Sequence, residues 1–362
     1  MASFDCFSLL RLHRVLAGEP VAVTGLVRAF GDADTFFREV DRRWLEAANF
    51  PSEMISRLLA PLDGESGRRL ERDMEWVSKP GHALVTLWDD GYPPRLAGIA
   101  DAPPVLFIRG DPAALAGEQI AIVGSRKMTA MGRRAAQELA AGICRAGITV
   151  TSGLALGIDG AAHRGALEAG GRTIAVLACG CDQIYPARHR RLGEEVAASG
   201  ALVSELPLGT PPWPGNFPRR NRIVTGLSRG TVVVEAALGS GSLVSARLAA
   251  EQGRDVFAVP GPVFGSQSKG CHALIKAGAM LVESVTDILD EIPGEAVDRG
   301  VELAGLSETQ ALVIESLRAA PASVDELAER LALPASTLLD ALIELEIDGL
   351  VSGGHAGYEA RV

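Results

Sequence analysis

Two polar segments of this 362-residue chain have the composition of anion-binding loops. Ser125 and Arg126 follow an apolar run at residues 120–123, and Gly153 follows a second apolar run at residues 148–151. Glycine lets a ligand approach the backbone, the amides of a helix N-terminus favour anions, and an arginine can form two hydrogen bonds with one phosphate. These segments predict a site for a phosphate-bearing ligand. The alternative is that the glycines only turn the chain tightly between strand and helix.

The second segment continues through Gly157 and Asp159 into a helix that contains His163. Asp159 and His163 are four residues apart and would share one helix face, which admits an acid–base role for the pair. We favour a simpler interpretation. Asp159 caps the helix or pairs with an arginine, and His163 packs the turn.

A third candidate segment opens a later helix and carries an aromatic ring, an amide and arginines: Phe217, Arg220, Asn221 and Arg222. Arginines in the first turn of a helix oppose its macrodipole, at a cost of about 0.3–1 kcal/mol per charge. They therefore indicate an anionic partner. The alternative is that one of them forms an ion pair with an acidic neighbour such as Asp159 or Glu205.

Two further polar loops follow later apolar strands. Ser240, Gly241 and Ser242 follow the run at residues 231–234, and Lys269 follows the run at residues 255–259. Neither loop has the lysine-containing pattern of a P-loop, and Gly124-Ser125-Arg126 lacks the spacing of the dinucleotide fingerprint. The loops therefore predict anion binding without a nucleotide hydrolase or a nicotinamide cofactor.

Alternation of strands and helices explains how these loops come together. Apolar runs near residues 120, 148, 173, 201, 231 and 255 predict strands, and helical patterns separate them. Such alternation is typical of an α/β fold with a doubly wound, mostly parallel sheet, where ligands bind at the carboxyl ends of the strands. Nearly all of the polar loops would then lie on one edge of the sheet.

The chain is long enough for two or three domains. We predict a small helical domain at 1–80, the α/β domain at 81–290, a linker at 291–306, and a winged-helix domain at 307–362. The C-terminal pattern is three helices and a two-stranded wing, which usually binds DNA. Its third helix, however, carries only acidic charges (Asp340, Glu344, Glu346 and Asp348). Because these would repel phosphates, we expect this domain to contact protein.

The charge distribution is uneven along the chain. The net charge is −10, yet residues 120–290 carry 18 basic and 13 acidic side chains, whereas residues 1–119 carry 13 and 18. A polyanion responds to the local charge, so the basic middle domain is compatible with nucleic acid.

The remaining composition excludes several classes of protein. No apolar run approaches the roughly 20 residues of a membrane span, and the N-terminus lacks the basic start of a signal peptide, so we expect a cytoplasmic protein without a membrane partner. The five cysteines are scattered, and none has the spacing of a zinc site. We expect neither a metal nor a cofactor.

Five ordered motifs together resemble the DprA/Smf family of DNA-processing proteins. They are Val123-Gly124-Ser125-Arg126, residues 152–159 through His163, Phe217-Pro218-Arg219-Arg220-Asn221-Arg222-Ile223, Ser240-Gly241-Ser242-Leu243, and Val259-Pro260-Gly261. The match in spacing runs from about residue 83 to residue 290. The flanking domains fit the family's plan of an N-terminal helical domain of the SAM or helix-hairpin-helix type, an extended Rossmann domain and a winged helix.

The resemblance implies a function and a set of contacts. The family binds and protects single-stranded DNA without base preference and loads the RecA recombinase onto it during natural transformation, and it is not enzymatic. The resemblance also implies a homodimer formed through the Rossmann domain. Carried over by motif, the DNA groove would be lined by Ser125, Arg126, Gly153, Gly157, Asp159, His163, Phe217, Arg220, Asn221, Arg222, Ser240, Gly241, Ser242 and Lys269.

Two departures and one competing function remain. His189 and His272 stand where the family usually has asparagine, which puts those two local contacts in doubt. The fold is also similar to that of nucleotide phosphoribohydrolases, in which a glutamate acts on a ribosyl phosphate, and Glu235 follows a strand. The sequence around Glu235 lacks the glycine-rich loop of those enzymes. A Rossmann-like nucleotide-binding enzyme or sensor is therefore the alternative.

Overall fold

The computed structural model of the chain describes residues 6–292, 306–347, 350–354 and 357–360. They form two compact units, one built around a large sheet and one formed by the C-terminal helices and hairpin. Most of the predicted linker at 291–306 lies outside the described residues. So do Asp348, which was predicted to belong to the third C-terminal helix, and residue 355. No helix within the described ranges is both long and apolar enough to cross a membrane.

Helices make up the first part of the large unit. They are α1 (Cys6–Val15), α2 (Pro20–Phe30), α3 (Ala33–Glu39), α4 (Arg42–Ala47), α5 (Ser52–Leu59) and α6 (Gly64–Val77). The side chains of Asp32, Asp41 and Asp63 accept backbone N–H groups at the starts of α3, α4 and α6, as helix caps do. Leucines at positions 9, 10, 26 and 58 are buried.

The strands and helices of the sheet region alternate along the chain. They are β1 (His82–Thr86), α7 (Pro94–Ala97), β2 (Val105–Gly110), β3 (Gln119–Val123), α8 (Ala130–Arg145), β4 (Thr149–Ser152), α9 (Ile158–Glu168), β5 (Thr173–Val176), α10 (Arg190–Ser199), β6 (Ala201–Ser204), α11 (Asn216–Leu227), β7 (Gly230–Val233), α12 (Ser242–Glu251), β8 (Asp255–Ala258), α13 (Lys269–Lys276), β9 (Met280–Leu281) and α14 (Val285–Asp290). The residues of β3 to β7 are buried on both faces, which explains their continuous apolar runs.

The strand order confirms the predicted fold class. Within the described residues, nine strands form one sheet in the order β1-β2-β6-β5-β4-β3-β7-β8-β9. All neighbours are parallel except β1 with β2 and β2 with β6. From β3 the chain builds outward to β6 and then returns to β7 on the other side of β3. The switch point of this mostly parallel, doubly wound sheet therefore lies between β3 and β7.

Strand β2 lies one position inside the edge of the sheet, because β1 pairs with its outer side. The N-terminal helices also share a hydrophobic core with the sheet, in which Trp76 packs edge-to-face on Phe107 at 6.1 Å between ring centroids. His13 Nε2–H donates to Glu205 O at 2.7 Å, so polar contacts cross residue 80 as well.

The C-terminal unit has the predicted winged-helix form. Its elements are α15 (Glu308–Ala319), α16 (Val324–Leu331), α17 (Ala335–Ile347), β10 (Val351–Gly354) and β11 (Gly357–Ala360). Reciprocal capping bonds start α15 at Ser307 and α16 at Ser323, and β10 pairs with β11 as an antiparallel hairpin. Buried leucines at 317, 327, 338 and 342 form its core.

Candidate functional site

A cavity of about 800 Å³ opens at the carboxyl ends of β3 and β7. This is the switch point of the sheet, where the backbone loops diverge and leave a crevice. The cavity is lined by the loops that follow β3 and β4, the first turns of α11 and the loop that begins α12. The predicted residues among its lining are Ser125, Arg126, Asp159, Phe217, Arg220, Asn221, Ser240, Gly241 and Ser242.

Arg220 projects into the base of this cavity. Its side chain is only 5% exposed, its Nη1 donates to Val176 O at the end of β5, and its Nε has no partner among the described residues. Burial lowers the pKa of the Arg220 guanidinium, and the nearby charge of Asp159 opposes that shift. An arginine so placed remains charged at neutral pH and has an unused donor.

Asp159 holds the loop that carries Gly153. Its Oδ2 accepts the backbone N–H groups of Gly153 at 3.1 Å and Ala155 at 3.3 Å. Burial raises the pKa of Asp159, while Arg220 and these two amides act in the opposite direction. The electrostatic pairing with Arg220 therefore agrees with the predicted arginine partner. The predicted helix cap is not observed, because Asp159 accepts amides of the preceding loop and Gly157 stands at the N-cap of α9.

Aromatic rings and a guanidinium meet at the mouth of the cavity. The Phe217 ring lies 5.8 Å from the ring of Tyr185 between centroids, and the guanidinium carbon of Arg126 lies 5.3 Å from the Phe217 centroid. Arg126 is exposed and half of Tyr185 is accessible. Beside them, a smaller cavity of about 80 Å³ is lined by Gly153, Cys179 and the same two rings.

Hydroxyl groups shape the loops on both sides of the switch point. Ser125 Oγ accepts the backbone N–H of Lys127 at 3.0 Å, and Ser240 Oγ lies 2.7 Å from Ser242 Oγ at the start of α12. Each bond lies within its own loop, and both loops line the cavity. The loops provide amides and hydroxyls that can bind an anion.

The glycines predicted to let a ligand approach the backbone are instead in close contact with other atoms of the protein. A Cβ at Gly153 would lie 2.0 Å from Arg220 Nη1, and one at Gly157, where φ is +89°, would lie 2.1 Å from Ser125 O. Gly153 lines only the smaller cavity and Gly157 neither one. These glycines therefore position the site through packing.

Three other predicted residues do not line either cavity. His163 is fully buried, and its Nδ1–H donates at 2.7 Å to the Thr173 hydroxyl, which itself donates to Val150 O. Burial lowers the pKa of His163 to about 3, so the ring is neutral. His163 packs the turn, as the simpler interpretation held, and does not face Asp159. Lys269 is exposed at the start of α13, outside the cavity lining.

Arg222 is the third of the other predicted residues that line neither cavity. It is 5% exposed and forms ion pairs with Glu205 and, through Nε at 3.1 Å, with Asp101. The ion-pair alternative therefore applies to Arg222, and its place in the predicted groove is corrected. The cause is helical geometry, because residues two apart on a helix point about 200° apart.

The cavity also contains residues that the sequence analysis did not single out. Lys127, Tyr185 and Gln267 line it. Lys127 directly follows Arg126, so its place in the cavity could have been predicted from this pair of adjacent positive charges. Tyr185 and Gln267 lie in loops whose conformation has no periodic pattern, so the sequence offered no comparable sign.

Both histidines at the family's asparagine positions form backbone hydrogen bonds. His189 Nδ1 lies 2.9 Å from Leu154 O, and His272 Nε2 lies 3.0 Å from Gly261 O. An asparagine amide can donate the same kind of bond. The substitutions therefore keep a link between each helix start and the neighbouring loop.

Glu235, the residue of the alternative enzymatic hypothesis, does not line the cavity. Its carboxylate accepts the backbone N–H of Thr129 at 2.9 Å and the Thr129 hydroxyl at 2.5 Å, which ties the loop after β3 to the loop after β7. The described part of the chain has no cluster of three or more histidine, cysteine, aspartate or glutamate side chains that could hold a metal ion.

Comparison with known proteins agrees with this architecture. The family model described as DNA recombination-mediator protein A matches residues 83–293, and a DprA winged-helix model matches residues 300–357. The chain belongs to the DprA/Smf family. It is 43% identical over 301 residues to protein Smf of Escherichia coli K12, covering 80% of each chain.

Solved structures of two family members are similar to this fold. The X-ray structure of DprA from Streptococcus pneumoniae matches with a TM-score of 0.64 at 31% identity, over 81% of this chain and all of that one. A DprA structure from Helicobacter pylori, reported for its unique single-stranded-DNA binding mode, matches with a TM-score of 0.53 at 29% identity, over 58% of this chain and 94% of that one.

Proposed function

We propose that this protein binds single-stranded DNA in the cavity between β3 and β7, without base preference. The observation that carries the proposal is the charge of the cavity. Among the described residues, Arg126, Lys127 and Arg220 line it against one carboxylate, that of Asp159. Phosphates of a nucleic-acid backbone would be attracted to these cations and to the adjoining amides.

A single strand suits this site better than a duplex. Phe217 and Tyr185 stand at the mouth, and an aromatic ring can stack on a base only when that base is free of its partner. Stacking accepts any base because every base has a π face. The Helicobacter pylori relative, described by its single-stranded-DNA binding mode, supports the same substrate class.

The finer role that we propose is that of a recombination mediator in the cytoplasm. The protein would protect incoming single strands and load RecA onto them during natural transformation. The matched family model, described as a recombination mediator, supports the general class of this role. The acidic winged helix supports protein contact at the C-terminus, since α17 carries Asp340, Glu344 and Glu346 and no basic residue within its described length.

Self-association through the Rossmann domain is part of this proposal. The edge strand β9 is two residues long, and Leu281 on it is exposed. Val263 and Phe264, in the loop that follows β8, are also exposed. A two-residue strand offers few backbone groups for pairing, so it is the exposed apolar side chains that favour contact with a second copy. Sedimentation of wild type and Leu281→Arg tests this, and a monomeric wild-type protein would refute it.

The loading role is tested with RecA and a single strand coated by single-stranded-DNA-binding protein. Wild type should shorten the lag before RecA hydrolyses ATP, and Arg126→Ala should shorten it less. No effect of wild type on that lag, with DNA binding intact, would remove loading from the proposal while leaving DNA binding in place.

The enzymatic alternative is less favoured by the contacts of Glu235. Its two carboxylate oxygens accept bonds from Thr129, so it would have to leave that residue to reach a ligand. Incubation with nucleoside monophosphates, followed by chromatography of the products, tests this alternative. Release of free base by wild type but not by Glu235→Gln would establish it.

A further inference from the structure

Trp213 is an exposed aromatic side chain beside the cavity. It is 68% exposed, although tryptophan contributes to stability mainly through burial of its large ring. The next residue, Pro214, lines the cavity, and Phe217 stands at the mouth four residues later. Trp213 therefore lies at the rim of the proposed DNA site, outside the part that holds the arginines.

The loop that presents Trp213 is tied down at both ends. On one side, Gly209 N–H donates to the carboxylate of Asp182 at 3.0 Å, and Thr210 O accepts Gly180 N–H at 2.9 Å. Two prolines, at 211 and 212, then restrict the backbone. The indole is held outward by a short, constrained segment.

On the other side, the turn closes onto the start of α11. Asn216 N–H donates to Trp213 O at 2.9 Å, and Asn216 Nδ2 donates to Ala178 O at 3.3 Å. The ring lies near Gly215, where a Cβ would come within 3.4 Å of Trp213 Cδ1. This packing orients the ring and leaves most of its surface free.

We propose that Trp213 stacks on a nucleobase of the strand just outside the cavity. The inference rests on the proposed function and adds a second stacking position to the Phe217–Tyr185 pair. A protein partner is the competing occupant of an exposed indole. We favour a nucleobase over a protein partner. A strand whose phosphates lie along Arg126 and Lys127 would bring its bases to this rim, and the flat π face of the indole can stack on any base.

Intrinsic fluorescence tests this contact directly. Poly(dT) should quench tryptophan emission in wild type, and the quenching should largely disappear in Trp213→Phe. Trp44→Phe is the matched control, because Trp44 is also partly exposed but packs on Phe30 at 4.8 Å among the N-terminal helices. Quenching should persist in that variant.

Affinity supplies the second readout. Trp213→Ala should weaken binding of an ordinary oligonucleotide by about 5- to 150-fold, the range expected for loss of one base-stacking contact, and should leave the salt slope unchanged. An abasic strand of equal charge should bind wild type and Trp213→Ala alike. Equal binding of both proteins to the ordinary strand, or quenching that survives in Trp213→Phe, would overturn the inference. If wild type bound no single strand at all, the proposed function itself would fail.

Discussion

The guanidinium of Arg220 fills the space that a side chain at residue 153 would need. A Cβ at Gly153 would come within 2.0 Å of Arg220 Nη1. The two residues are 67 positions apart in the chain, with Gly153 in the loop after β4 and Arg220 in α11. The glycine-containing segment and the arginine-containing helix therefore form one unit, in which Gly153 admits the cation and Asp159 faces it.

Gly153→Ala should displace Arg220. Overpacking of a buried site costs about 1–3 kcal/mol of stability, and the shifted guanidinium should also weaken DNA binding. Gly117→Ala is the matched control, since no described residue lies within 4 Å of a Cβ there and its φ is not positive. Urea unfolding and DNA titration measure both effects. Wild-type values for Gly153→Ala would contradict the packing relationship.

Arg222→Ala should lower stability more than DNA affinity. It would leave the buried carboxylate of Glu205 without its ion pair, a change that typically costs about 3–5 kcal/mol. Arg191→Ala removes an exposed pair on α10 and should change the free energy of unfolding by less than about 1 kcal/mol. An Arg222→Ala protein of normal stability that no longer binds DNA would return Arg222 to the groove.

His13 should make the fold sensitive to acid. Burial lowers its pKa from 6.5 to about 4, so below pH 6.5 the unfolded chain takes up a proton that the folded chain does not. Stability is therefore full above pH 6.5 and falls as the pH drops toward 4. His13→Gln, which can still donate to Glu205 O, should reduce the stability lost between pH 7 and pH 5 by about 2 kcal/mol. Urea unfolding at both pH values checks this, and an undiminished loss would count against it.

The winged-helix unit should be dispensable for DNA binding. All of the cavity lining lies between residues 123 and 267, and α17 offers phosphates no cation within its described length. A chain that ends at residue 292 should bind a single-stranded oligonucleotide within about twofold of the full chain in a side-by-side titration. A tenfold loss would show that the C-terminal unit takes part in binding.

Sequence alone predicted the sheet and most of the cavity because both follow simple rules. The strands from β3 to β7 are buried on both faces and appear as unbroken apolar runs, and the ends of parallel strands meet at one edge. Arg126 and Ser240 could therefore be assigned to one site. Arg220 and Arg222 are two residues apart on a helix. Helical geometry alone therefore implies that their side chains point in different directions.

Other features depended on contacts that no local pattern encodes. Tyr185 lines the cavity and Trp213 lies at its rim, both in irregular loops held by bonds to distant residues, such as that from Gly209 N–H to Asp182. The packing of Gly153 against Arg220 likewise needs the folded sheet. The antiparallel pairing of β1 with β2 joins residues far apart in the sequence, and a short apolar run does not specify such a partner.

The salt dependence of single-strand binding tests the central claim most directly. Fluorescence anisotropy with labelled single- and double-stranded oligonucleotides would be measured across a salt series for wild type, Arg126→Ala, Lys127→Ala and Arg134→Ala. Arg134 is the control because it is exposed on α8 and paired with Glu138, outside the cavity lining.

Wild type should bind the single strand more tightly than the duplex, and affinity should fall steeply with salt. Each cavity variant should reduce the logarithmic salt slope by about one, whereas Arg134→Ala should leave it unchanged. If single strands do not bind, or if the two cavity variants retain the wild-type slope and affinity, the cavity between β3 and β7 is not the DNA site.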